Sequence, residues 1–154
     1  ETIQASSQNL VAWSRPSEGT VCLNVDGSLL GSPQSVGFSG LICNNDETFL
    51  GGFYGVATHA SILYAEIMTL LHGLELCWDK GFRSVICFSD SLQTVTLVKN
   101  GVSPYHRFAN EIISIHQLLD RDCRIVAVDH TRFKRAMRAL IFWSRWGLTL
   151  FPLL

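Results

Sequence analysis

At 154 residues the chain can bury one sizeable core, and 47% hydrophobic against 16% charged residues excludes a disordered chain. A net charge of −1 lacks the basic footprint of a strong electrostatic nucleic-acid binder. No signal peptide opens the sequence and no uninterrupted apolar run reaches ~18 residues, so neither a membrane span nor a membrane partner is expected.

Residues 1–20 are polar, carry Trp13, Pro16 and Gly19, and read as a linker or N-terminal extension. The start at Glu1 reads as that of an excised domain or fragment. Residues 21–131 read as one domain, and 132–154 as an atypical C-terminal segment.

Val21, Leu23 and Val25 alternate as in a β-strand, and the alternation stops at Asp26-Gly27, a turn pair. This puts Asp26 in the last pleat, on the face shared by Cys22 and Asn24. Taken alone, Asp26 reads as a turn-capping residue; buried, a carboxylate there needs a cation or donors. A loop containing Gly31 and Pro33 leads to a second strand over Val36–Cys43. The turn Asn44-Asn45-Asp46 leads to a third over Phe49–Val56, completing an antiparallel meander.

From Ser61 to Trp78 the period becomes helical, with Leu63, Ile67, Leu70, Leu71 and Leu74 as the apolar stripe. Thr69, His72, Glu75 and Asp79 fall on the expected wet side, and Gly81 stops the helix. Glu66 leans toward the core face, one turn from Ile62 and Leu70, and needs a partner there. Val85–Phe88 is a short apolar run of the kind found in a strand buried on both faces. Asp90 follows at its C-terminal tip, where it also reads as a helix N-cap. Helices follow, one carrying Val95, Leu97 and Val98, the next spanning Tyr105 to Asp120. Arg124–Val128 is a fifth strand, followed by Asp129 and His130.

Cys22, Cys43, Cys77, Cys87 and Cys123 form no Cys-x-x-Cys motif. Buried free thiols in a reducing intracellular compartment are the expectation, and a zinc site is not.

Strand tips in open sheets are where functional groups gather, and Asp26, Glu66 and Asp90 occupy two such tips and a core-leaning helix face. Gathered carboxylates raise one another's pKa values unless a divalent cation holds them, and Mg²⁺ suits oxygen donors.

Leu-Asn-Val-Asp-Gly-Ser over 23–28, Ala65-Glu66 and Ser89-Asp90-Ser91 resemble the ribonuclease H-like domain of plants, the reverse-transcriptase-like type related to retrotransposon ribonuclease H. Trp13-x-x-Pro16, Gly73-Leu74-Glu75 and His130 extend the resemblance from about Trp13 to Thr131. It implies an α/β fold: a five-stranded mixed sheet, three antiparallel strands and then crossover strands, with helices on both faces. It also implies Mg²⁺-dependent endonucleolytic cleavage of the RNA strand of an RNA–DNA hybrid, using two metal ions. By the same resemblance Asp26 bridges both metals, Glu66 holds one, and Asp90 binds metal or positions the attacking water. Arg107 and His130 are implied as nucleic-acid contacts; His130 also reads as a polar strand-end residue.

The family's closing helix opens Asn-x-x-Ala-Asp-x-Leu-x-Lys-x-Gly, and its Asp is a fourth metal ligand. Here 134–140 reads Lys-Arg-Ala-Met-Arg-Ala-Leu, and no acid follows Asp129. One reading is a diverged helix with Arg138 near the lost ligand's place. The other is a frameshift. Codons compatible with Arg135–Leu154, read two bases later, can spell Ser-Asn-Ala-Cys-Ala-Asp-Phe-Leu-Val-Lys-Met-Gly, the missing motif in full. Phe142, Trp143, Trp146 and Leu148 crowd the tail, which should seek a partner surface. Three functions are therefore in play: a hybrid nuclease impaired by the missing ligand, an inactive nucleic-acid-binding module, and a protein-interaction module.

Overall fold

The computed structural model describes residues 16–30, 35–58, 61–89, 91–120, 124–129 and 151–152. Strands β1 (Val21–Leu30), β2 (Ser35–Cys43) and β3 (Phe49–Val56) form the expected antiparallel meander. Helix α1 (Ile62–Asp79) then leads to β4 (Ser84–Ser89), and helices α2 (Leu92–Asn100) and α3 (Ala109–Leu119) lead to β5 (Arg124–Asp129). Phe151–Pro152 forms a two-residue strand β6. The sheet order is β5-β4-β1-β2-β3-β6, with β1 parallel to β4 and antiparallel to β2. The mixed sheet with crossover helices is as the sequence implies, with one short strand more than expected.

Two boundaries differ. β1 does not stop at Asp26-Gly27: its pairing with β2 continues through Asp26↔Ser39 and Gly27↔Phe38 to Leu30↔Ser35. Ladder pairing with β2 overrides the turn preference of the Asp-Gly pair, so Asp26 lies within the strand. Helix α3 begins at Ala109 and not at Tyr105, because the preceding residues close tight turns of their own, His106 N donating to the Ser103 carbonyl at 2.9 Å and Ala109 N to the His106 carbonyl at 3.0 Å.

Helix α1 is well delimited. Ser61 is its N-cap, its hydroxyl accepting from Tyr64 N at 3.3 Å. At the other end Gly81 takes φ +84°, while Gly81 N donates to the Trp78 carbonyl and Phe82 N to the Cys77 carbonyl, closing a Schellman turn. The helix lies against the Leu23 and Val25 face of β1. Gly73 makes this approach possible, since a Cβ there would stand 2.8 Å from both Leu23 methyls. Leu23, Val25, Phe53, Ile67, Leu70 and Leu74 fill the layer between helix and sheet. The opposite face is also covered at the sheet's centre, where Asn24 and Leu41 are buried.

Thr69, expected on the wet side of α1, is fully buried. Its hydroxyl donates to the Ser39 carbonyl at 2.9 Å, which satisfies the polar group inside the helix–sheet layer. Among the described residues no helix is long and apolar enough to cross a membrane. Apart from β6, the expected frame-shifted or partner-seeking tail lies outside the described residues.

Candidate functional site

Asp26 lies in β1 next to Val25, the β1 residue that pairs with Ser89 of β4. Among the described residues the parallel ladder of β1 with β4 runs to Val25↔Ser89, and on the other side the antiparallel ladder with β2 runs on past Asp26. Asp26 thus directly follows the last described pair with β4, toward the C-terminal ends of the parallel strands, where functional groups of open sheets gather. It is half-buried.

Glu66 reaches this point from the second turn of α1. The residue is only 4% exposed and its Oε2 atom is buried. A Cβ on Gly27 would stand 3.2 Å from the Glu66 carboxyl carbon, 3.1 Å from Glu66 N and 3.2 Å from the Ala65 Cβ. The bare backbone at Gly27 therefore lets the Glu66 carboxyl lie directly against the residue that follows Asp26. The Glu66 carboxyl thus lies against the backbone of β1 one residue from Asp26.

Asp90 lies outside the described residues, but its neighbours bear on the alternative reading of it. Ser91 is the N-cap of α2: its hydroxyl accepts from Thr94 N at 3.2 Å and pairs with the Thr94 hydroxyl at 2.9 Å. The capping role considered for Asp90 belongs to Ser91. On the other side, Ser89 is fixed opposite Val25, and each of these two residues is followed in sequence by an acid. Among the described residues no group of three or more His, Cys, Asp and Glu side chains is gathered for a metal ion.

Arg107 is exposed in the connection between α2 and α3, its guanidinium 4.7 Å above the Phe108 ring. Phe108 is buried and packs on Tyr64, in the first turn of α1, at a centroid distance of 5.3 Å. His130 lies outside the described residues.

Sequence reasoning missed Thr69. It stands one helical turn after Glu66, and its hydroxyl holds the carbonyl of Ser39, the residue directly opposite Asp26. It is a positioning residue: it ties the helix carrying one acid to the strand paired with the other. A polar residue three positions after a core-leaning Glu was the available signal.

Near the same place Phe38, the partner of Gly27, stacks on His72 at 5.3 Å, and His72 Nδ1 lies 3.3 Å from Glu75 Oε2. Both rings line an open cavity of about 150 Å³ with Tyr64 and Met68.

The sequence profile of the reverse transcriptase-like family matches residues 24–135. A protein of Arabidopsis thaliana named for ribonuclease H is 28% identical over 127 residues, which is 81% of this chain and 20% of that protein. The chain thus spans about a fifth of that relative's length. The crystal structure of ribonuclease H1 from the archaeon Halobacterium salinarum superposes with a TM-score of 0.67 at 18% identity, covering 78% of this chain and 91% of that one. LC11 ribonuclease H1, isolated from compost and crystallised with an RNA/DNA hybrid, superposes with a TM-score of 0.60 at 17% identity, covering 77% and 91%.

Proposed function

The chain belongs to the reverse transcriptase-like family and carries a ribonuclease H-like domain, and on that premise we propose that it binds RNA–DNA hybrids and cleaves their RNA strand weakly, with Mg²⁺ as cofactor. The observation that carries this reading is the Glu66 carboxyl lying against Gly27, directly after Asp26. The solved ribonuclease H1 bound to an RNA/DNA hybrid supports the substrate class by fold.

The donor set fits a hard divalent cation. Asp26 and Glu66 offer carboxylate oxygens only, the donors a hard divalent cation takes. Asp26 and Glu66 would hold the ion, with Asp90 as the third ligand by its place in the sequence. When bound, Mg²⁺ ions lower the pKa of a coordinated water and neutralise charge on the phosphodiester. The chain's own residues do the positioning. Gly27 leaves room for the helix, Thr69 fixes α1 against the strand opposite Asp26, and Arg107 offers a charge to a phosphate at the rim.

Weak activity follows from the tail. No acid occurs after Asp129, so the fourth carboxylate of the family pattern is missing and the second ion loses an anionic ligand. The same fact favours a second reading, an inactive module that keeps hybrid binding alone. A labelled RNA–DNA hybrid incubated with the full chain and Mg²⁺, against an Asp26→Asn control, separates them. Slow cleavage lost in the control supports the nuclease, binding without cleavage supports the module, and neither refutes both.

A further inference from the structure

The meander places two cysteines directly opposite each other. Cys22, near the start of β1, is the register partner of Cys43, the last residue of β2. Residues opposed in an antiparallel ladder have Cα atoms about 4.5–5.5 Å apart and side chains on the same face. A disulfide accepts Cα separations of about 4.4–6.8 Å, a range that covers the spacing of an opposed antiparallel pair. Both thiols are free and only partly covered, whereas Cys77 and Cys87 are fully buried between helix and sheet.

From this register and exposure we propose that Cys22 and Cys43 are a redox-reactive dithiol that closes to an intrachain disulfide across β1 and β2. The oxidant is a small-molecule disulfide of the glutathione type. One cysteine sulfur attacks the oxidant, releasing one thiol and leaving a mixed disulfide; the second cysteine then displaces the other thiol. Two protein thiols are oxidised, the oxidant's one S–S bond is reduced to two thiols, and the two protons pass from protein to products. The bond staples the open end of the β1–β2 hairpin, whose closed end lies beyond Leu30. It pins the register that sets Asp26 opposite Ser39.

The surroundings set the resting state. Burial, then the neighbouring charges of Cys22 and Glu47, pushes the Cys43 thiol up to about 11, and burial followed by Glu47 raises Cys22. Thiolate is scarce at neutral pH, so the pair rests reduced and closes slowly, faster as pH rises.

The test uses the full reduced chain, incubated with oxidised glutathione at neutral pH and at about pH 9, then alkylated, digested and analysed by mass spectrometry. The expected product joins the Cys22 and Cys43 peptides with a mass two hydrogens lower. It should form faster at the higher pH, raise the thermal midpoint by several degrees and be reversed by dithiothreitol. Cys22→Ser and Cys43→Ser should each stop at a glutathione adduct. Full alkylation of both cysteines after oxidation would overturn the proposal. So would a stable glutathione adduct in the unmutated chain, or pairing of either cysteine with Cys77, Cys87 or Cys123.

Discussion

The carboxyl carbon of Glu66 lies 3.2 Å from the point where a Cβ on Gly27 would stand. A helix side chain is thereby seated on the backbone of the central strand, one residue from Asp26. The contact exists only because position 27 has no side chain. Its consequences can be measured without knowing the natural substrate.

Gly27→Ala should push α1 away from β1. The added methyl would meet Glu66 N at 3.1 Å and the Ala65 Cβ at 3.2 Å, tighter than ordinary contacts and against backbone on one side. Overpacking of this kind costs about 1–3 kcal/mol. A urea midpoint equal to that of the unmutated chain would show that the helix yields freely.

Glu66→Gln separates charge from shape. If Glu66 holds Mg²⁺, the unmutated chain should gain thermal stability as Mg²⁺ is added, by about 1.4 kcal/mol at a tenfold excess over the dissociation constant. The amide should lose most of that gain. Equal Mg²⁺ shifts in both proteins would remove Glu66 from the site.

Thr69→Val keeps the shape of a fully buried side chain and deletes its hydroxyl. The Ser39 carbonyl then loses its 2.9 Å hydrogen bond, a loss of about 1–3 kcal/mol when the acceptor stays buried. Because Ser39 opposes Asp26, any hybrid cleavage should fall further than stability alone explains, while Thr69→Ser restores both. Chemical denaturation and the nuclease assay run side by side check this.

Alkaline pH should weaken the fold through Cys43. Its folded pKa, about 11, exceeds the ordinary thiol value of 9.0, so the folded chain keeps a proton that the unfolded chain releases. The stability is fully present below pH 9.0 and declines as pH rises toward about 11. Cys43→Ser should flatten the part of the decline that belongs to this thiol. Identical pH profiles for the two proteins would contradict the assignment.

Much of this arrangement could be read from the sequence because the signals were local. Alternation in β1, the stripe of α1 and the Gly81 stop each reflect forces acting within a few residues. Glu66 stood out because a charge on an apolar stripe demands an explanation. The errors came from non-local terms. The Asp26-Gly27 pair looked like a turn, yet its ladder to β2 continues for four residues beyond Asp26. Thr69 looked solvated, yet the Ser39 carbonyl, 30 positions away in sequence, draws its hydroxyl inward. Periodicity cannot see a partner that the sheet supplies.

The order of strands also has a kinetic side. β1, β2, β3 and α1 are contiguous in sequence and pack on one another, whereas β4 reaches β1 only across the intervening hairpins and helix. Short-range contacts close at lower entropic cost, so residues 21–79 should gather before β4 docks. Truncating Ile42, buried in β2, should then slow folding, and truncating Val85, buried in β4, should chiefly speed unfolding. Asp26 and Glu66 both belong to the early unit, so the strand and helix that carry them would already be packed together when the strand leading to Asp90 arrives.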